Sequence, residues 1–65
     1  MGLQTGKFFK KRRKEKGLTQ IQVAQKAGVY VNTYAKIERG EQEPSFPTVK
    51  KLAKALDIDL SDIAD

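Results

Sequence analysis

Apolar positions along this chain recur three and four residues apart and are cut into short runs by glycine and proline, the spacing of amphipathic helices. The first run covers residues 5–16. It carries Phe8 and Phe9, then Arg12 and Arg13 where an inward face would continue, and Gly17 closes it after a lysine-rich last turn. Residues 20–27 form the second. Thr19 and Gln22 stand three apart, as in a capping box, where each side chain satisfies a backbone N–H of the other. Val23, Ala24 and Ala27 face inward and Gly28 ends the run. The third covers residues 31–38, with Tyr34 and Ile37 inward and Gly40 beyond. After the loop Glu41-Gln42-Glu43-Pro44, Ser45 reads as an N-cap and Pro47 is tolerated in the first turn. Phe46, Val49, Leu52, Ala53 and Leu56 then make the cleanest stripe, over residues 46–56. Asp57-Ile58 connects to a last short turn at 60–64, capped by Asp59, with Leu60 and Ile63 apolar. No stretch alternates apolar and polar for long enough to make a strand. The pattern predicts an all-α fold, a compact five-helix bundle in one domain over residues 1–65.

The second and third helices fall below the about 12–15 residues at which an isolated helix holds in water, so tertiary packing has to sustain them. The expected core is Phe9, Leu18, Val23, Ala24, Ala27, Val29, Tyr34, Ile37, Phe46, Val49, Leu52, Ala53, Leu56, Ile58 and Ile63. The small alanines of the second helix allow a neighbouring helix to approach closely.

Composition narrows the chemistry. The chain has no Cys and no His. That removes Cys and His zinc ligands, histidine-based triads and cysteine nucleophiles. The longest apolar run is Val29-Tyr30-Val31, too short to span a membrane, and no apolar segment follows the N-terminal lysine as in a secretory signal. Charge is polarised: the first forty residues hold ten basic groups against Glu15 and Glu38, and the remaining residues hold three lysines against six carboxylates. A basic half suits a polyanionic partner, although a solvated helix face explains the same charge. The run Lys10-Lys11-Arg12-Arg13-Lys14 has a composition seen in nuclear-import signals, but a helix splays these groups to different sides. Steering of a polyanion or plain solvation accounts for them better. Carboxylates such as Glu38, Glu41 and Glu43 have no nucleophile or base beside them in sequence, so the chain does not read as an enzyme.

Two short helices joined through Ala27-Gly28-Val29-Tyr30 have the spacing of a helix-turn-helix. The blocks Lys14-Glu15-Lys16-Gly17-Leu18-Thr19-Gln20, Val23-Ala24-Gln25-Lys26-Ala27-Gly28-Val29 and Ile37-Glu38-Arg39-Gly40 resemble those of the Cro/repressor-type (XRE) helix-turn-helix family. Pro44-Ser45-Phe46 and Leu52-Ala53-Lys54-Ala55-Leu56 continue the resemblance in order, from about Gly6 to Ile63. It implies a phage-repressor-like DNA-binding domain whose third helix enters the major groove while the second braces it across the backbone.

The groove, about 12 Å wide, accepts one helix, and polar groups near its N-terminus reach base edges. Val31, Asn32, Thr33 and Lys36 occupy those positions. Asn32 can pair bidentately with adenine or else bond backbone at the helix start. Val31 can pack on a thymine methyl. Lys36 can reach guanine or phosphate, or stay solvated, and Thr33 suits a sugar-phosphate contact. Gln20, at the start of the second helix, matches a family phosphate contact, with an uninvolved surface Gln as the alternative. Arg39 matches a second backbone anchor. The resemblance makes Arg13 and Glu38 a structural ion pair rather than DNA readers.

Two positions depart from the family pattern. Tyr30 stands where Ser or Thr usually caps the third helix, so either the helix starts differently or Tyr30 itself touches DNA backbone. The loop Glu41-Gln42-Glu43 is acidic where relatives place basic or polar groups near phosphate. Phe8, a quarter-turn off the core face, is expected over the last helix, with a dimer contact as the alternative.

The resulting expectation is a transcriptional regulator, a repressor in the first instance, binding double-stranded DNA as a weak homodimer. It needs no cofactor or metal and would be cytoplasmic and nucleoid-associated, without membrane contact. The alternative is a protein-interaction module of the same fold, antitoxin-like or coactivator-like, whose partner is a protein.

Overall fold

The computed structural model describes residues 2–59. They form four helices, α1 (Gly2–Glu15), α2 (Gln20–Ala27), α3 (Val31–Arg39) and α4 (Phe46–Ala55). No strand is present among the described residues, and no helix among them is long and apolar enough to cross a membrane. The expected fifth helix at 60–64, and Ile63 with it, lies outside the described residues.

The starts follow the sequence signals. Thr19 and Gln22 form the expected capping box, with Gln22 N–H donating to Thr19 Oγ1 at 3.1 Å and Thr19 N–H to Gln22 Oε1 at 2.9 Å. Ser45 caps α4 through the Thr48 N–H. Tyr30 is the N-cap of α3 without a side-chain bond, yet the helix still begins at Val31.

All four ends share one backbone closure. An N–H two or three positions beyond each helix reaches back across the turn: Leu18 to Arg13 O at 3.1 Å, Val29 to Ala24 O at 3.0 Å, Glu41 to Lys36 O at 2.9 Å and Ile58 to Ala53 O at 2.8 Å. The residue between adopts a left-handed conformation, which Gly28 takes freely at φ 73° between α2 and α3. In α4 the same place is taken by Asp57 at φ 55°, one of the few side chains that tolerate it. The sequence pattern marks Asp57-Ile58 only as a connection.

The core comprises Phe9, Val23, Ala24, Ala27, Tyr34, Ile37, Val49, Leu52, Ala53, Ala55, Leu56 and Ile58. Phe8, Leu18 and Val29 pack against it while partly buried. Phe46 does not belong to it. Its ring is 65% exposed and lies 5.6 Å from the Lys50 ammonium. It stands on the first turn of α4, where the stripe runs past the packed residues, and Pro44 is buried in the loop ahead of it.

α1 begins at Gly2, earlier than the residue 5 expected, and Thr5 is buried within it. α1 crosses α3 at Gly6. A Cβ there would overlap the Ile37 carbonyl oxygen and come within 3.0 Å of Glu38 O, so glycine is what lets the two backbones approach.

Across the same contact, Arg13 grips Glu38 through Nε–Oε2 at 2.7 Å and Nη2–Oε1 at 3.1 Å, the expected structural pair. Arg13 Nη1 also donates to Leu18 O at 2.9 Å, and Gln20 Nε2 donates to Glu38 Oε1 at 3.0 Å. Burial opposes ionisation of Glu38, but the neighbouring Arg13, Tyr34 and Gln20 groups outweigh it and hold the carboxyl below the usual carboxylate range. The Tyr34 hydroxyl is buried close by without a well-aligned partner, and burial, seconded by the Glu38 carboxylate, pushes its ionisation up. Arg12 is structural as well: Nε and Nη2 donate to the Leu56 and Asp57 carbonyls at 3.4 and 3.3 Å, fastening α1 to the end of α4. Lys16 joins it through Asp57 at 2.8 Å.

Two outcomes follow for stability. Glu38→Gln leaves Arg13 buried without its anion and should cost about 3–5 kcal/mol in denaturant unfolding near neutral pH. Because the folded-state pKa of Glu38 lies below its unfolded value of about 4.3, its contribution is present above that pH and disappears as pH falls through the lower folded value. The acid limb of the stability curve should therefore be shallower in Glu38→Gln than in the wild type, and parallel limbs would refute the linkage. Gly6→Ala, which in an open helix should gain about 0.8–1.0 kcal/mol, should instead lower Tm through overlap with α3.

Candidate nucleic-acid interface

With its inner side occupied by Tyr34, Ile37 and Glu38, α3 leaves an outer side to solvent. At 100° per residue, Val31, Asn32, Ala35, Lys36 and Arg39 fall within about 140° of one another on that side. Asn32 and Lys36 are exposed and Val31 is 37% exposed. The Asn32 side chain makes no hydrogen bond among the described residues, so the helix-start bond considered for it is not formed. The outer face therefore presents an amide donor and acceptor, an ammonium group and a small apolar surface, the functional groups that base edges and phosphates accept. Thr33 falls outside this sector and is half-buried on its flank.

The other two expected contacts come to the far end of the same helix, in engaged form. Gln20 heads α2, where free backbone N–H groups and the helix dipole favour an anion. Its side chain is half-buried, and one amide N–H is given to Glu38. Arg39, the next residue along, is held by Glu41 through Nε–Oε2 at 2.8 Å and Nη2–Oε1 at 3.0 Å. The hydrogen bond from Arg39 is the chief reason that the Glu41 carboxyl ionises below its usual range, with Lys36 adding to the effect.

Four side-chain roles escaped the sequence pattern: Arg12 on the carbonyls just past α4, Lys16 on Asp57, Gln20 on Glu38, and Arg39 on Glu41. Only the last leaves a local trace, opposite charges flanking Gly40. Tyr30 is 85% exposed at the α3 N-cap, consistent with its lacking a capping role.

A shallow groove of about 400 Å³ lies elsewhere, lined by Phe8, Lys11, Arg12, Glu15, Asp57 and Ile58. No α3 residue lines it. Phe8 thus packs beside the end of α4. Among the described residues no group of three or more acidic side chains is placed to hold a metal ion.

Comparison with known proteins bears on this geometry. A helix-turn-helix family model, HTH_3, matches residues 9–63. The immunity repressor protein of Bacillus phage phi105 is 43% identical over 58 residues, covering 89% of this chain and 40% of the repressor. The chain thus spans less than half the length of that relative. The crystal structure of the restriction-modification controller protein C.AhdI from Aeromonas hydrophila superposes with a TM-score of 0.90 at 31% identity, covering 94% of this chain and 92% of the other. The N-terminal DNA-binding domain of SinR from Bacillus subtilis gives 0.86 at 35% identity, covering 94% and 90%. On the extent of the family match and the agreement of the fold, the chain belongs to the HTH_3 family of helix-turn-helix proteins.

Proposed function

We propose that this chain binds double-stranded DNA sequence-specifically as a transcriptional repressor, with α3 lying in the major groove. The observation that carries the reading is the division of α3: its inner side is fixed by Ile37, Tyr34 and the Arg13–Glu38 pair, and its outer side presents the Asn32 and Lys36 side chains without hydrogen-bond partners among the described residues. A relative that is a repressor and a structural neighbour that is a DNA-binding domain support the same reading. In this arrangement Asn32 pairs with a base, Val31 packs on a thymine methyl, and Lys36 reaches guanine or phosphate. The second amide N–H of Gln20 and the α2 backbone approach one phosphate, Thr33 touches the sugar-phosphate flank, and Arg39 anchors a second phosphate. Binding occurs as a weak homodimer on a two-fold site with half-site centres about 34–36 Å apart, in the cytoplasm on the nucleoid. No enzymatic activity or cofactor belongs to this reading. The exposed Ile21 and Phe46 favour a second reading, an additional or alternative protein partner.

Selection from a random duplex pool at near-physiological salt tests the proposal. It should enrich a two-fold motif, and enrichment of nothing, with binding that disappears as salt rises, would leave only non-specific attraction. Asn32→Ala should relax preference at one base position by about 1–3 kcal/mol. An unchanged preference would mean that α3 sits in a different register. Gln20→Ala should weaken selected and unrelated duplexes alike, as measured by titration after its unfolding curve shows a folded chain.

A further inference from the structure

The closure at the end of α3 differs from the other three. Where those place Leu18, Val29 and Ile58, all at least partly buried, α3 places Glu41. Its backbone N–H is fixed on Lys36 O at 2.9 Å, so its carboxylate is held close to the basic end of α3 by the main chain. It grips Arg39 on two nitrogens, a geometry that a DNA phosphate would also use. Both side chains are more than half exposed, so the pair is reachable from solvent and belongs to no core contact.

We propose that Glu41 is an internal competitor that restrains DNA affinity, holding Arg39 in a pre-formed carboxylate fork that a phosphate must displace. The inference rests on the DNA-binding reading above. A free arginine that neutralises a phosphate releases condensed counterions, and this electrostatic gain supplies nearly all non-specific binding. An arginine already neutralised by its own chain's carboxylate gains little by the exchange, and the displaced carboxylate is left facing a polyanion. On an arbitrary sequence, therefore, Arg39 stays with Glu41. On the correct sequence, base contacts from the first turns of α3 hold the helix in register and bring a phosphate against Arg39, and the exchange then takes place. Glu41 thereby lowers affinity on both, by the forgone phosphate contact on an arbitrary sequence and by the larger cost of opening the fork on the correct one.

The test compares the whole chain with Glu41→Gln, Arg39→Ala and the double variant. Each is titrated against a duplex selected from the random pool and against an unrelated duplex over a range of salt concentrations. Glu41→Gln should tighten the unrelated duplex about 3- to 10-fold and steepen its dependence on log salt by about 0.9, one phosphate's worth. It should tighten the selected duplex at least as much, with little change in its salt slope because Arg39 already neutralises a phosphate there. In the Arg39→Ala background the Glu41→Gln gain should vanish. A gain of the same size in that background would reduce Glu41 to a simple repelling charge and overturn the proposal, and so would an unchanged or weaker affinity. In the absence of DNA, the Arg39 Nε–H resonance should shift on Glu41→Gln, and an unmoved signal would overturn the fork independently of any DNA result. If the wild type binds no duplex at all, the DNA-binding reading fails and this proposal with it, while the resonance still reports whether the fork exists.

Discussion

Arg13 is where this small chain is tied together. One guanidinium reaches from α1 to Glu38 on α3 and to the Leu18 carbonyl in the first turn, and Glu38 in turn receives the side chain that heads α2. Three helices, two of them shorter than ten residues, thus share one buried charge pair. Such a pair adds little net stability over an apolar substitute, because desolvation offsets much of the attraction. Its effect is geometric. The fork accepts one relative placement of α1 and α3, and the close backbone approach at Gly6 allows that placement to be reached. Every feature of the outer side of α3 inherits its position from this contact.

The helices were legible because their signals are local. Thr19 with Gln22, Gly28, Gly40 and Ser45 each act within a few residues, and each does in the structure what its type and spacing predict. The Arg13–Glu38 pair was legible only through family resemblance, since nothing local links residues 25 apart. Phe46 was misread because periodicity says which side of a helix is apolar but not where the neighbouring surface ends. Gly6 gave no warning, because a glycine required by a close crossing looks the same in sequence as one that marks a boundary. The partners of Arg12, Gln20 and Arg39 depend on which carbonyls and carboxylates the fold brings near, and periodicity carries no record of that. The six candidate DNA contacts divide on the same ground: their positions along the helices could be read, but the internal bonds of Gln20 and Arg39 could not.

The formal charge also overstates what the surface offers. Arg12, Arg13, Lys16 and Arg39 all have carboxylate or carbonyl partners within the chain. The basic run of α1 is therefore partly a set of fasteners, and its arginines serve packing more than attraction. Lys16 is similarly drawn to Asp57, whose carboxyl it holds below the ordinary range. A count of cations would have assigned all these groups to a polyanion, whereas the structure reserves several for holding its own helix ends.

The shared helix closure has a consequence for how such a chain can diverge. The stop after α3 is made by main-chain atoms and a glycine, and the inner side is held by Tyr34, Ile37 and Glu38. None of the residues at 31, 32, 35 and 36 contributes a side chain to either task. Those four positions can drift through many residue types while the scaffold beneath them stays unchanged. Descendants of one chain could thus acquire separate targets by substitution at the surface alone, with no intermediate that has lost its fold.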